Sequence, residues 1–106
     1  MSQDSGRVVA LKNEAKQRYE VEVDGQLAVL TYEREGNTIV YLHTGVPSAL
    51  SGRGIAAQLA RTALEEARDH QYVVVPQCPF VAAYIRRHPE YIDLVEESQR
   101  SAFSAE

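Results

Sequence analysis

The chain of 106 residues contains no tryptophan, one cysteine, one methionine and two phenylalanines. A single thiol, Cys78, cannot close an intrachain disulfide, so a reducing cytoplasm is the expected compartment. No apolar run is long enough to span a bilayer, and Ser2 to Arg7 is polar, without a signal-peptide pattern, so no membrane association is expected. Excess basic charge is missing too. The net charge is -4, with acids and bases interspersed, which argues against nucleic acid as the main partner. The histidines, His43, His70 and His88, stand far apart with no HxxxH or CxxC spacing, so no metal is expected. Repeats and linkers are absent, and the length suits one domain with a single modest core, expected as a monomer or weak dimer.

What is present begins with alternation. Tyr19 to Val23 reads as a strand, Asp24-Gly25 as a two-residue hairpin turn, and Leu27 to Tyr32 as the partner strand. After a turn at Gly36-Asn37, strict alternation over Thr38 to Thr44 would group Ile39, Tyr41 and His43 on one face and Val40, Leu42 and Thr44 on the other. From Gly54 to about His70 the apolar positions Ile55, Leu59, Ala63 and Ala67 recur at helical spacing, opposite a solvated face of Arg61, Glu65, Glu66 and Arg68. Tyr72 to Val75 is uniformly apolar, as a central or parallel strand would be, and Pro76 ends its pairing. Phe80 to Arg87 reads as a second helix, stopped before Pro89. Val8 to Leu11 is a candidate edge strand, and the polar stretch from Glu96 to Glu106 is expected to fray. The fold class is therefore α/β: an antiparallel β-meander followed by α-β-α, with helices packed on a mixed sheet. Glu20, Glu22 and Asp24 alternate on a strand and read as a solvated face.

The most informative segment is the Gly-rich turn Val46-Pro47-Ser48-Ala49-Leu50-Ser51-Gly52-Arg53-Gly54-Ile55-Ala56 between strand and helix. Gly52 and Gly54 let the backbone approach a ligand closely, and the helix start aims free N–H groups and a positive dipole end at the loop, as a diphosphate cradle requires. The plainer alternative is a Gly-rich connection without a ligand. Gly52 to Ala57 also fits the dinucleotide pattern G-x-G-x-x-A. Against that stand the long loop before the glycines, the antiparallel strands preceding it, and Pro76-Gln77 where a ribose-binding acid would fall. No Lys-Ser or Lys-Thr follows the glycines, which excludes a Walker loop.

Ser51-Gly52-Arg53-Gly54-Ile55-Ala56 resembles the coenzyme A pyrophosphate loop of the GNAT N-acetyltransferase superfamily, in which Arg or Gln is followed by two variable residues, Gly, one variable residue, and Gly or Ala. Gly54 and Ala56 match, while Ser51 stands where the family usually carries Arg or Gln. Together with Asp24-Gly25, His43-Thr44, Cys78-Pro79-Phe80 and His88-Pro89-Glu90-Tyr91, the chain looks like the very small single-domain members of the YjdJ kind. The resemblance implies acetyl-CoA as cosubstrate and transfer of its acetyl group to an amine. It implies a CoA site built from Thr44, Gly45, Val46, Ser51, Gly52, Arg53, Gly54, Ile55 and Ala56, with Arg86, Arg87 and His88 reaching the 3'-phosphoadenosine end. Backbone N–H groups near His43 to Gly45 would then polarise the thioester carbonyl.

Three catalytic candidates follow. Cys78, at a helix N-cap with Pro79 at the first helical position, is either an acetyl-accepting nucleophile or a small buried residue lining the site. His43 is the candidate base, brought near Cys78 if the two central strands splay around the thioester as the resemblance implies. Tyr84 falls where many members of that superfamily carry a tyrosine beside the CoA sulfur, a general acid for the departing thiolate. The plainer readings are a structural strand histidine, a packing tyrosine and a solvated basic helix end for Arg86 and Arg87. The rival function is an acyl-CoA-binding module without turnover, acting as a sensor or protein partner.

Overall fold

The computed structural model describes residues 9–104. Strands β1 (Leu11–Asn13), β2 (Arg18–Val23), β3 (Gln26–Glu35) and β4 (Thr38–Gly45) form an antiparallel meander, and β5 (Val73–Pro76) adds to β4 in parallel, giving the order β1-β2-β3-β4-β5. The first tight turn works as its sequence dictates. Asp24 and Gly25 both take left-handed backbone, φ 52° and 79°, the geometry a primed two-residue hairpin demands. The edge strand expected from Val8 to Leu11 forms at Leu11–Asn13 instead; Val8 lies outside the described residues.

Register assigns the faces. Tyr19 pairs with Leu30 and Val21 with Ala28. These side chains, with Tyr32, Ile39 and Tyr41, make the buried face. Helices α1 (Ile55–His70) and α2 (Pro79–Arg87) cover that face, and the alanines Ala60, Ala63 and Ala67, all fully buried, let α1 approach closely enough for the Tyr41 hydroxyl to donate to the Ala63 carbonyl at 2.7 Å. The opposite face, bearing Leu27, Val29, Val40, Leu42, Val73 and Val75, is only partly buried or exposed.

The expected alternation of β4 breaks at Leu42. Thr31 pairs with His43, yet its neighbour Tyr32 pairs with Tyr41, so Leu42 is an extra residue in β4, a β-bulge. Beyond it the sides exchange. Thr44, opposite buried Leu30, turns toward the helices, and His43, opposite Thr31, turns to the bare face and is exposed. Grouping His43 with Ile39 and Tyr41 is thereby corrected, because one inserted residue sends every following side chain to the other face.

Beyond α1 the chain reverses through Gln71 (φ 60°) and enters β5, one residue later than expected and including Pro76, which pairs with Tyr41. Cys78 caps α2 with Pro79 at its first position, and its N–H bonds the Tyr41 carbonyl at 2.8 Å, tying the helix start to β4. A 3-10 stretch, Pro89–Leu94, brings Val95 back beside Val74. After Val95 come a 3-10 turn, Glu97–Gln99, and a short helical turn α3 (Ser101–Ser104). Arg100 Nε donates to the Val95 carbonyl at 2.9 Å, and Arg86 lies over the Phe103 ring. Among the described residues no helix is long and apolar enough to cross a membrane.

Candidate active site

The β4–β5 pairing ends at Tyr41 and Pro76, while β4 runs on to Gly45. The two parallel strands therefore part at their C-terminal ends, the place where ligands of open α/β sheets bind. A larger hollow, about 690 Å³, lies at the other end of the pair, near Thr38 and Val73, but holds none of the candidate residues.

The loop after β4 is fixed before it reaches the glycines. Leu50 is buried, and the Leu50 and Ser51 N–H groups bond the Pro47 and Ser48 carbonyls. The Ser51 hydroxyl donates to the Ser48 carbonyl at 2.9 Å, so its side chain is turned into its own loop. Gly52 and Gly54 both have left-handed backbone, φ 80° and 75°. A Cβ on either would meet nothing within 4 Å, which leaves open space above the loop. Gly54 caps α1, so the first free N–H groups of α1 face that space. Arg53 is exposed between the glycines, Ile55 is buried in the core, Ala56 is partly buried, and Thr44, Gly45 and Val46 carry the chain out of β4.

A groove of about 360 Å³ joins this helix start to α2, lined by Gly54, Ala57, Gln58, Arg61, Tyr84 and His88. Gly54 and Tyr84 are thus brought to one cleft. Tyr84 is 6 % exposed, and burial raises its phenol above the ordinary value, with the Arg61 charge pulling the other way. The phenol stays protonated at neutral pH, the form that can donate. His88 stacks on Tyr84 with ring centroids 4.0 Å apart, and its Nδ1–H donates to the Tyr84 carbonyl at 2.9 Å, locking both rings. Ala57, Gln58 and Arg61 are not among the site residues expected from the resemblance, and Arg61 reads from its spacing only as part of a solvated helix face. Their signal was their spacing: three, four and seven residues after Gly54 is one helix face.

Cys78 and His43 do not meet. Cys78 is 2 % exposed, and its Sγ lies 3.2 Å from Thr44 Oγ1 on the helix side. His43 occupies the bare face, where its Nε2 would stand 3.3 Å from a Cβ on Gly45. Their expected convergence is corrected by the bulge at Leu42. Arg86 and Arg87 separate as well: Arg86 sits 5.0 Å from the Phe103 ring centroid, whereas exposed Arg87 has no partner among the described residues. No three His, Cys, Asp or Glu side chains gather into a metal-binding group among the described residues.

Protein NATD1 of Gallus gallus is 34 % identical to this chain over 90 residues, covering 81 % of the chain and 82 % of that protein. Protein NATD1 of Mus musculus is 31 % identical over 99 residues, covering 88 % and 90 %. The solution structure of a GCN5-like protein from Staphylococcus aureus superposes with a TM-score of 0.68 over 91 % of each chain at 24 % identity, a likeness of fold. The model of the GCN5-related N-acetyl-transferase family matches residues 18–94, from β2 through the 3-10 stretch after α2, and the chain belongs to that family.

Proposed function

We propose that the protein is an acetyl-CoA-dependent N-acetyltransferase acting on an amine, in a small molecule or a protein. The observation that carries this reading is the single groove holding both the Gly54 helix start and the Tyr84 phenol. The site fits CoA in its chemistry: open space above two left-handed glycines and free helix N–H groups beside it.

Acetyl-CoA would supply an activated thioester. The Gly52–Gly54 backbone and the α1 N-terminus hold its diphosphate, and backbone N–H groups between His43 and Gly45, beyond the end of β5 pairing, hold the carbonyl oxygen. The amine nitrogen bonds to the acetyl carbon as the carbon–sulfur bond breaks, and Tyr84 donates its proton to the departing sulfur. The amine approaches across the bare strand face, where exposed His43 takes its proton. Cys78 lines the helix side beside Thr44 and forms no covalent intermediate, since the candidate base lies on the other face.

The bare strand face also favours the second reading, an acyl-CoA-binding module without turnover, because no described element covers Leu27 or Val73, 39 % and 38 % exposed, to shape an acceptor pocket. CoA release measured over a panel of amines decides between them. Tyr84→Phe should lower the transfer rate by about 10² to 10⁴ and leave CoA affinity nearly unchanged. CoA binding without release for any amine would favour the module, and an undiminished Tyr84→Phe rate would remove Tyr84 as the acid.

A further inference from the structure

We propose that Arg61 is the phosphate-clamping side chain of this site, supplying from the second turn of α1 the guanidinium that the loop lacks at Ser51. The inference rests on the CoA-binding reading above and names a residue that reading does not require.

The loop residue at the position of a clamping side chain is spent. Ser51 is too short to reach outward, and its hydroxyl is bonded back to Ser48. Arg61, by contrast, lines the same groove as Gly54, seven residues further along one face of α1, with Tyr84 across from it. Its guanidinium is exposed and has neither a hydrogen bond nor an ion pair among the described residues.

That freedom is imposed by the neighbours. The natural helical partner of Arg61, four residues on, is Glu65, and its Oε2 accepts instead from the Tyr91 hydroxyl at 2.5 Å. Glu66, the next acid, is held by the Tyr19 hydroxyl and lies 3.3 Å from Lys12 Nζ. Arg68 is likewise engaged, donating to the Glu90 carbonyl and pairing with Asp93. Among the described residues, the two acids nearest Arg61 on this helix and its other arginine are thus committed elsewhere, while the Arg61 guanidinium lies at the groove without a hydrogen bond or ion pair. A planar fork of N–H donors matches two non-bridging oxygens of a diphosphate, the geometry in which arginine outperforms lysine.

Titration calorimetry of CoA against the parent, Arg61→Gln, Arg61→Lys and Lys16→Gln tests this. Lys16 sits in the β1–β2 turn, remote from the groove, and its removal makes the same change in net charge. Arg61→Gln should raise the CoA dissociation constant by about ten-fold or more, and Arg61→Lys should recover only part of the loss. The dependence of affinity on salt should flatten in Arg61→Gln and stay as in the parent for Lys16→Gln. Arg61 is exposed, so the melting temperature should hold. If the parent binds CoA and Arg61→Gln matches Lys16→Gln in affinity and salt dependence, the clamp is wrong and the CoA reading stands. If the parent binds no CoA, the CoA reading falls and the clamp with it.

Discussion

Thr44 and Cys78 meet side chain to side chain, Oγ1 to Sγ at 3.2 Å, at the point where β4 outruns β5. The contact exists because the Leu42 bulge turns Thr44 toward the helices and because the Cys78 N–H is anchored on the Tyr41 carbonyl. It ties the two sides of the strand gap together on the face where CoA is proposed to lie.

From that contact follows a test of the transfer route. Cys78→Ser can keep a hydrogen bond to Thr44 and should acetylate amines at close to the parent rate. Cys78→Ala should lose about 1 kcal/mol of stability, the usual scale for a buried truncation, without losing turnover. Intact-mass spectrometry after incubation with acetyl-CoA should show no adduct on Cys78. An acetylated Cys78 that hands its acetyl group to an added amine would restore the covalent route.

Gly54→Val separates strain from ligand contact. A β-branched residue in left-handed backbone costs about 1–2 kcal/mol. Gly36→Val imposes comparable strain at the β3–β4 turn, φ 59°, again with nothing within 4 Å of the added Cβ. Both variants should melt earlier by similar amounts. Only Gly54→Val should also weaken CoA binding, by several-fold or more, in a calorimetric titration; equal CoA affinity in the two would remove the cradle.

Buried tyrosines set the alkaline limit of stability. Tyr19, Tyr41 and Tyr91 all have phenol pKa values raised above 10, chiefly by burial, with Glu66 adding to Tyr19 and Tyr41 and Glu65 to Tyr91. Below the unfolded value of about 10 both states are protonated and the contribution is fully present. Above it the unfolded chain ionises while the fold cannot, so stability falls as pH rises toward the folded values. The urea midpoint should hold to about pH 9 and then decline steadily to about pH 11.5. Tyr19→Phe should shallow that decline, and a midpoint flat across the range would contradict it.

The meander, the α1 helix and the Gly-rich loop were legible because their signals are local. Asp24-Gly25 encodes its own turn, and the alanines of α1 encode close packing. The placement of His43 was not legible. After Tyr41 the strand reads Leu42-His43-Thr44-Gly45, with no pair of apolar residues two apart to declare which face is inside, so nothing in the pattern marks the extra residue at Leu42. The roles of Arg61 and Arg86 were hidden for a different reason. Whether an arginine on a solvated helix face is free depends on partners far away in sequence, here Tyr91 for Glu65 and Phe103 for Arg86.

That difference in partners predicts unequal roles for the two adjacent arginines of α2. If this helix end holds the 3'-phosphate, CoA should bind more tightly than dephospho-CoA, and the gap should shrink as salt rises. Arg86 is occupied by the Phe103 ring, a contact of about 0.5–1 kcal/mol at an exposed site, so Arg86→Gln should cost a little stability and leave the gap intact. Arg87, one residue before the groove-lining His88 and without a partner among the described residues, is free to reach the phosphate, so Arg87→Gln should close most of the gap. Parallel titrations of the two ligands against both variants measure this. Equal affinities for CoA and dephospho-CoA in the parent would return both arginines to a solvated helix end, and a gap closed by Arg86→Gln instead would reverse the assignment.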